Sequence, residues 1–317
     1  MKQLTAVDFF CGMGGVSKGL EMAGYKVLKA YDKWKDALIT HKYNLPDVET
    51  ENIDITKLNT KDIPNADLYH FSPPCQSFST SGKKEGINSQ NGQLIYETIR
   101  ILADKQPRAF TLENVKGLTI GKNKALFLDL IQQYNNIGYL CYWQILNSYN
   151  YNVVQNRERV FIVGIQKDIG LQYQFPKPMP NNKKLIDIIG NIRCNQGVKQ
   201  HGEGLINKLR HIPTGGNVMN IPEHIRPKAF KNSYQRLRWD DIPPTITRNY
   251  NMPSSANCVH PEEHRGLSDT EALLIQGFAE NWTVLGNQKN LQIGNAVPPP
   301  LMQAIAESIK VVLEGKA

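Results

Sequence analysis

Short apolar runs alternate with amphipathic stretches along the first 165 residues, and that rhythm restricts the chain to an α/β layer fold. "LTAVDFF" reads as a buried strand, "GMGG" as the turn after it, and "VSKGLEMAG" as a helix closed by Gly24. "YKVLKAYD" is a second strand, "ALITHKYN" a helix, and "ADLYHF" a strand that stops at the consecutive prolines Pro73 and Pro74. The helix "GQLIYETIRILADK", the strand "RAFTLENV" and the helix "NKALFLDLIQQYNNIG" continue the series. "YLCYWQILNS" and "RVFIVGIQ" follow with no helix between them, so they are expected to form an antiparallel pair at one sheet edge. The predicted fold is a doubly wound mixed sheet, mainly parallel, with helices on both faces.

Near Lys167 the pattern breaks. "QFPKPMPNNKK" is proline-rich, and the segment after it has weak periodicity with many Gly, Asn, Pro and basic residues, which predicts a smaller, loop-rich domain. Order returns with "LSDTEALLIQGF", where Ser268 and Glu271 have capping-box spacing, and "PPPLMQAIAESIKVVLEG" reads as a final amphipathic helix. A large core domain plus a smaller one also suits the length of 317 residues.

The formal charge is +8, and it is concentrated. Lys167 to Arg238 carries 13 Lys and Arg against four acids, a local balance of +9 that leaves the rest of the chain at −1. A polyanion, hence nucleic acid, is the expected partner of this middle segment. No apolar run approaches the ~18–20 residues that cross a bilayer, and the first residues lack a signal-peptide core, so cytoplasmic residence without a membrane partner is expected. Cys11, Cys75, Cys141, Cys194 and Cys258 are scattered without a C-x-x-C pair, which argues against a disulfide framework and structural zinc. "HPEEH" places two histidines four apart, but Pro261 stands where a metalloprotease helix needs its Glu; a polar loop is expected, with no metal.

In open α/β sheets, ligands bind at the carboxyl ends of the strands. Gly12, Gly14 and Gly15 form a turn there without the G-x-G-x-x-G of a nicotinamide site. Asp32 ends the second strand, 20 residues after Gly12, where a carboxylate can accept from ribose hydroxyls. Asp54 falls where the third strand should end and could accept from an adenine amino group, and Phe10 offers an aromatic face. Together they point to an adenosine-containing cofactor, although each acid alone is equally consistent with a solvated strand-end cap. Cys75 follows the double proline at the same edge, on a stiffened corner that inert packing does not require. Glu113 ends an apolar strand, and Arg157 and Arg159, two apart, are expected on one side of the sheet. A thiol, a proton-sharing carboxylate and a guanidinium suit attack on an electron-poor heterocycle; an ordinary Glu–Arg ion pair is the alternative.

The ordered set "DFFCGMGG", "SPPCQSFS", "LENV", "QNRERVF", "RLRWDDIPPTIT" and "QIGNAVPPPL" resembles the DNA (cytosine-5) methyltransferase family of bacterial and phage type, over residues 4 to about 310. The resemblance implies a Rossmann-like catalytic domain of residues 1–170 plus 290–317 and a target-recognition domain with hinge at 171–289. It implies S-adenosylmethionine as cofactor, with S-adenosylhomocysteine as product, bound by Phe10, Cys11, Gly12, Met13, Gly14, Gly15, Asp32, Lys33, Asp54, Ile55, Pro74, Leu94, Asn295 and Ala296. By the same resemblance a flipped-out cytosine is attacked at C6 by Cys75, held at N3 and its amine by Glu113 and at O2 by Arg159, with Arg157 in support. Residues 77–92 correspond to a mobile loop that closes over double-stranded DNA, with Ser79, Ser81, Lys83 and Lys84 at the phosphates, and Arg236 and Arg238 are further DNA-contact candidates. Lys33 stands where the family often has an aromatic residue, with Trp34 one position later. The expected enzyme is a monomer, without metal, whose cognate restriction endonuclease would be a genetic partner only. A tRNA cytosine-5 methyltransferase of the same fold and a non-catalytic DNA-binding regulator are the competing readings.

Overall fold

The computed structural model describes residues 3–74, 90–192 and 195–316, with 90–93 as backbone alone. It divides into two compact units: Met1–Asn147, Glu158–Pro178 and Pro299–Ala317 form the first, Ser148–Arg157 and Met179–Pro298 the second.

Among the described residues, the first unit is built on seven strands: β1 (Thr5–Phe9), β2 (Lys26–Asp32), β3 (Glu49–Asn52), β4 (Leu68–Phe71), β5 (Ala109–Val115), β6 (Tyr139–Asn147) and β7 (Glu158–Gln166). Their order is β3-β2-β1-β4-β5-β7-β6. β1 to β5 are parallel, whereas β7 runs antiparallel to both β5 and β6, so the expected antiparallel pair closes one edge. The helices are α1 (Gly15–Met22), α2 (Lys35–Asn44), α3 (Gln90–Lys105), α4 (Lys124–Asn136) and, far along the chain, α9 (Pro299–Leu313). From β1 the strand order runs one way through β2 and β3 and the other way through β4 and β5. The carboxyl ends of β1 and β4 therefore flank a topological switch point, where open α/β sheets bind ligands.

The alternating apolar residues of the strands make this sheet a core. Phe9 stacks on Tyr31 at 5.2 Å and on Phe71 at 4.7 Å, and Phe110 meets Tyr139 edge-on at 5.0 Å. α9 returns to α1, with the Tyr25 hydroxyl donating to Ala306 O (3.2 Å) and Lys310 Nζ to Ala23 O (3.2 Å).

The described helices of the second unit are short: α5 (Leu185–Ile189), α6 (Glu203–Arg210), α7 (Asp269–Ile275) and α8 (Lys289–Asn295). One apolar cluster joins Leu209, Ile212, Val218, Ile221, Tyr234 and Val259. Polar ties do much of the rest: Arg265 forks onto Glu263 (2.7 and 2.9 Å) and onto buried Glu271 (both contacts 2.8 Å). Ser268 and Glu271 make the reciprocal capping box read from their spacing. Residues 148–157 join this unit because Asn156 N–H donates to Pro243 O (2.9 Å), Thr245 Oγ1 to Asn156 O (2.8 Å), and Ile246 N–H to Gln155 Oε1 (2.8 Å).

Candidate active site and cofactor cradle

After β1 the backbone turns through Phe10 (φ +59°), Gly12 (φ +53°) and Gly14 (φ +98°) into α1. A Cβ on Gly12 would meet nothing within 4 Å, whereas one on Gly14 would press on the His41 ring at 3.0 Å. Gly14 is thus fixed by close packing beneath the turn, and Gly12 leaves its outer side open to a ligand. Asp32 closes the cradle from β2. Its Oδ2 accepts Gly12 N–H at 2.8 Å and its Oδ1 accepts Trp34 N–H at 2.8 Å. Burial raises its pKa, and the two N–H groups oppose that shift. Asp54 lies two residues beyond the end of β3, where its Oδ1 accepts from Thr56 N–H (3.1 Å) and Thr56 Oγ1 (2.9 Å); these bonds lower its pKa. Lys33 is exposed, Cys11, Met13, Ile55 and Leu94 are buried, and Pro74 is half-buried. An open glycine cradle with a hydrogen-bonded carboxylate on the adjacent strand fits a nucleoside-type cofactor.

Beneath the cradle lies a fully buried polar chain that pattern reading did not reveal. Ser17 Oγ of α1 donates to Asp8 Oδ2 of β1 at 2.7 Å and lies 2.9 Å from His41 Nε2 of α2. Desolvation drives both ionisable members toward neutrality, Asp8 up to about 7 and His41 down to about 4.

The corner after β4 is held at three points. Ser72 N–H donates to Phe9 O (3.2 Å), Ser72 Oγ lies 2.6 Å from His70 Nε2, and Asn114 Nδ2 donates to Pro73 O (3.2 Å). His70 is buried, and desolvation pushes its imidazole down to about 3, so it is neutral at physiological pH. Cys75 follows directly, but it lies outside the described residues, as do Ser77, Ser79, Ser81, Lys83 and Lys84. Asn114 is the residue that sequence reasoning missed; its place in "LENV", beside Glu113, was the available signal.

Glu113 and Arg159 are brought together by register. Glu113 pairs with Phe161 across β5 and β7, so Arg159 sits diagonally on the same face. Arg159 Nε contacts Glu113 Oε1 at 3.0 Å, and both side chains are largely buried at the carboxyl edge of the sheet. The expected shared face for Arg157 and Arg159 does not form, because Arg157 precedes β7 and belongs to the second unit. Its Nη1 donates to Ile246 O and Gly294 O, both at 3.3 Å. Arg157 therefore ties three sequence motifs together, "QNRERVF", "PPTIT" and "GNAV". Gly294 is obligatory there, since a Cβ would lie 2.3 Å from Arg248 N. Asn295, exposed at the end of α8, and Ala296 follow it in this unit.

The DNA-contact candidates also separate. Arg236 is buried, and its five N–H groups are consumed internally by Ile212 O, His260 O, Glu263 O, Leu209 O and His264 Nδ1. It has no donor left for a phosphate, so its assignment to DNA binding is corrected to a structural one. Arg238 is exposed and forks onto Asp240 at 3.0 and 2.9 Å. The histidines of "HPEEH" join the same framework: His260 Nδ1 accepts from Glu263 N–H (3.0 Å), and His264 receives Arg236. Among the described residues, no group of three His, Cys, Asp or Glu could hold a metal, and no helix is long and apolar enough to cross a membrane.

These features define a doubly wound α/β sheet with a candidate cofactor cradle and a Glu–Arg pair at one edge. Residues 4–311 match the family model described as C-5 cytosine-specific DNA methylase. The chain is 30% identical to the Type II methyltransferase M.Sau96I of Staphylococcus aureus, covering 97% of this chain and 76% of that protein. It is 32% identical to M.DsaV of Dactylococcopsis salina, over 97% and 86%. Among solved structures, a putative DNA modification methyltransferase encoded within an E. coli prophage superposes with a TM-score of 0.79 at 20% identity, over 98% of this chain and all of that one. The Spodoptera frugiperda DNMT2 structure superposes with a TM-score of 0.70 at 17% identity, over 98% and 100%. The chain belongs to the C-5 cytosine-specific DNA methylase family, which makes it a DNA (cytosine-5)-methyltransferase that works with a methyl donor of the S-adenosylmethionine type.

Proposed function

We propose that the protein is a site-specific modification enzyme of the Type II kind named among its relatives, and that it methylates a cytosine swung out of the duplex through a covalent bond from Cys75 to C6. The observation that carries this reading is the Glu113–Arg159 pair, 3.0 Å apart, at the sheet edge where β4 delivers the anchored Pro73–Pro74 corner. The first unit holds the chemistry and the second reads the target.

S-adenosylmethionine, when bound, supplies an electrophilic methyl group. The residues that would hold it are the Gly12–Gly15 turn, with Asp32 toward the ribose hydroxyls, Asp54 toward the adenine amine and Phe10 against the purine face. The Cys75 thiolate bonds to C6, and the electron pair displaced from the C5–C6 bond makes C5 nucleophilic. Glu113 faces N3 and the exocyclic amine and shares the proton that offsets charge on N3, while Arg159 holds O2. Once C5 carries the methyl group, loss of its proton to water restores the C5=C6 double bond and expels the thiolate. The described cysteines support Cys75 by contrast: burial pushes the Cys11 thiol well up and those of Cys141 and Cys258 up to about 12, which leaves them protonated and inert.

The test is expression in a host free of DNA methylation, with 5-methylcytosine mapped genome-wide. Wild type should mark one short motif, and C75S should mark none. Methylation by C75S, or the absence of a covalent adduct with a 5-fluorocytosine duplex carrying the mapped motif, would falsify the covalent route. A wild type that marks no motif would overturn the function itself.

A further inference from the structure

Phe230 is the most exposed large hydrophobic side chain among the described residues, at 85%, whereas the next, Tyr43, is 61% exposed. A single exposed apolar residue is ordinary on a protein surface. Three observations separate Phe230 from that background. Its turn is not loose: Ser233 N–H donates to Phe230 O (2.9 Å), Val218 N–H to Ser233 O (3.1 Å) and Tyr234 N–H to Pro253 O (3.0 Å). Val218 and Tyr234 belong to the apolar cluster of the second unit, so the ring projects from a base fixed to a core.

The charge along this stretch of chain is one-signed. From Arg226 to Trp239 there are five Lys and Arg and no acid. Arg226 is spent on the scaffold, donating from Nε to Ile221 O (2.8 Å) and from Nη2 to Met219 O (3.1 Å), and Arg236 is spent internally as described. Lys228 and Lys231, by contrast, are exposed and flank Phe230 in sequence. Finally, the turn is held at a conformational cost, because Tyr234 adopts the left-handed region at φ +58°, which a bulky residue rarely occupies.

An exposed aromatic on a hydrogen-bonded turn, with an exposed lysine two positions before it and another directly after it, matches duplex DNA. Lysines meet successive phosphates, and an aromatic wedge enters a base step that can be unstacked. We infer that Phe230 is a stacking wedge that enters the recognition sequence with Lys228 and Lys231 on the flanking phosphates, so that it contributes specificity through the ease of opening one step. This rests on the reading of the protein as a site-specific DNA methyltransferase. Because the ring buries almost nothing in the free protein, its removal leaves the fold intact.

The experiment uses the full chain and a duplex carrying the mapped methylation motif, with 2-aminopurine placed in turn at each step. Wild type should unstack one step and raise its fluorescence. F230A should melt at the wild-type temperature, lose that signal, and bind the site about 5- to 150-fold more weakly while its affinity for random duplex changes little. F230W should restore both signal and affinity, as stacking requires. K228A/K231A should instead weaken all duplexes alike and reduce the salt slope by about two. If wild type methylates its motif and F230A matches it in affinity and fluorescence, the wedge is wrong and the enzyme reading stands. If wild type methylates no DNA, the enzyme reading falls and the wedge falls with it.

Discussion

The sheet edge of the first unit and the loop-rich second unit spend their arginines in opposite directions. In the first, Arg159 is carried by a strand, with Nε on the Glu113 carboxylate at 3.0 Å and Nη1 on the carbonyl of its own neighbour Glu158 at 2.8 Å. In the second, Arg157 and Arg236 are buried among backbone carbonyls of distant segments and act as internal struts. The contrast follows from what each unit has to build with. One cluster of the first unit gathers 22 buried apolar residues over a sheet whose backbone groups pair with each other. The second unit has long stretches without regular structure, whose carbonyls need donors, and a guanidinium supplies five in a fixed fork. A charge-rich segment can therefore be basic partly for its own cohesion, and Arg236 and Arg238, two residues apart, show the division: one is an internal strut and the other faces solvent.

The sharpest way to break this comparison is Arg236→Met. Stranding four buried carbonyls and His264 should destabilise the protein by at least about 3 kcal/mol in denaturant titrations. Arg238→Ala, which removes only an exposed pair with Asp240, should leave the midpoint unchanged. Equal effects of the two substitutions would dissolve the distinction between strut and surface charge.

The buried chain under the cofactor cradle makes a second, pH-resolved test. Asp8, raised to about 7, binds a proton in the folded state that the unfolded chain has released above pH ~4, so its stabilising contribution is lost as pH rises from about 4 to 7. His41, lowered to about 4, is the reverse: the unfolded chain binds the proton between about 4 and 6.5, so stability rises with pH there. The two nearly cancel in wild type. His41→Gln should unmask Asp8, and the stability difference from wild type should grow by about 1.4 kcal/mol per pH unit between pH 4.5 and 6. A difference that does not vary with pH would show that the pair does not titrate as the buried geometry requires.

The smallest effect is expected at the corner. Asn114→Ala should cost about 1 kcal/mol of stability and lower kcat about tenfold, with KM for the methyl donor unchanged, because Pro73 loses its tie to β5. A shift in KM alone would place Asn114 in binding rather than positioning.

Much of the first unit was legible because its periodicities are strong. β1, β2, β4, β5 and the β6–β7 pair fall where apolar alternation and turn residues put them, and Asp32 lands beside Gly12 as its spacing requires. Glu113 and Arg159 could be nominated from the ends of their strands, since a strand end is a local property. Other features had no local signature. That Arg157 leaves the sheet for Ile246 and Gly294, 89 and 137 residues away in sequence, follows from packing alone. The same holds for the Asp8–Ser17–His41 chain, whose members come from three elements, and for the internal capture of Arg236. The sequence by itself determined the layers, the strand ends and the chemical groups offered there, because hydrophobic period and turn chemistry act over a few residues. Which of those groups face a ligand, and which are consumed in holding the chain together, was decided only by tertiary structure, because a buried donor or acceptor takes whatever partner the fold brings within about 3 Å.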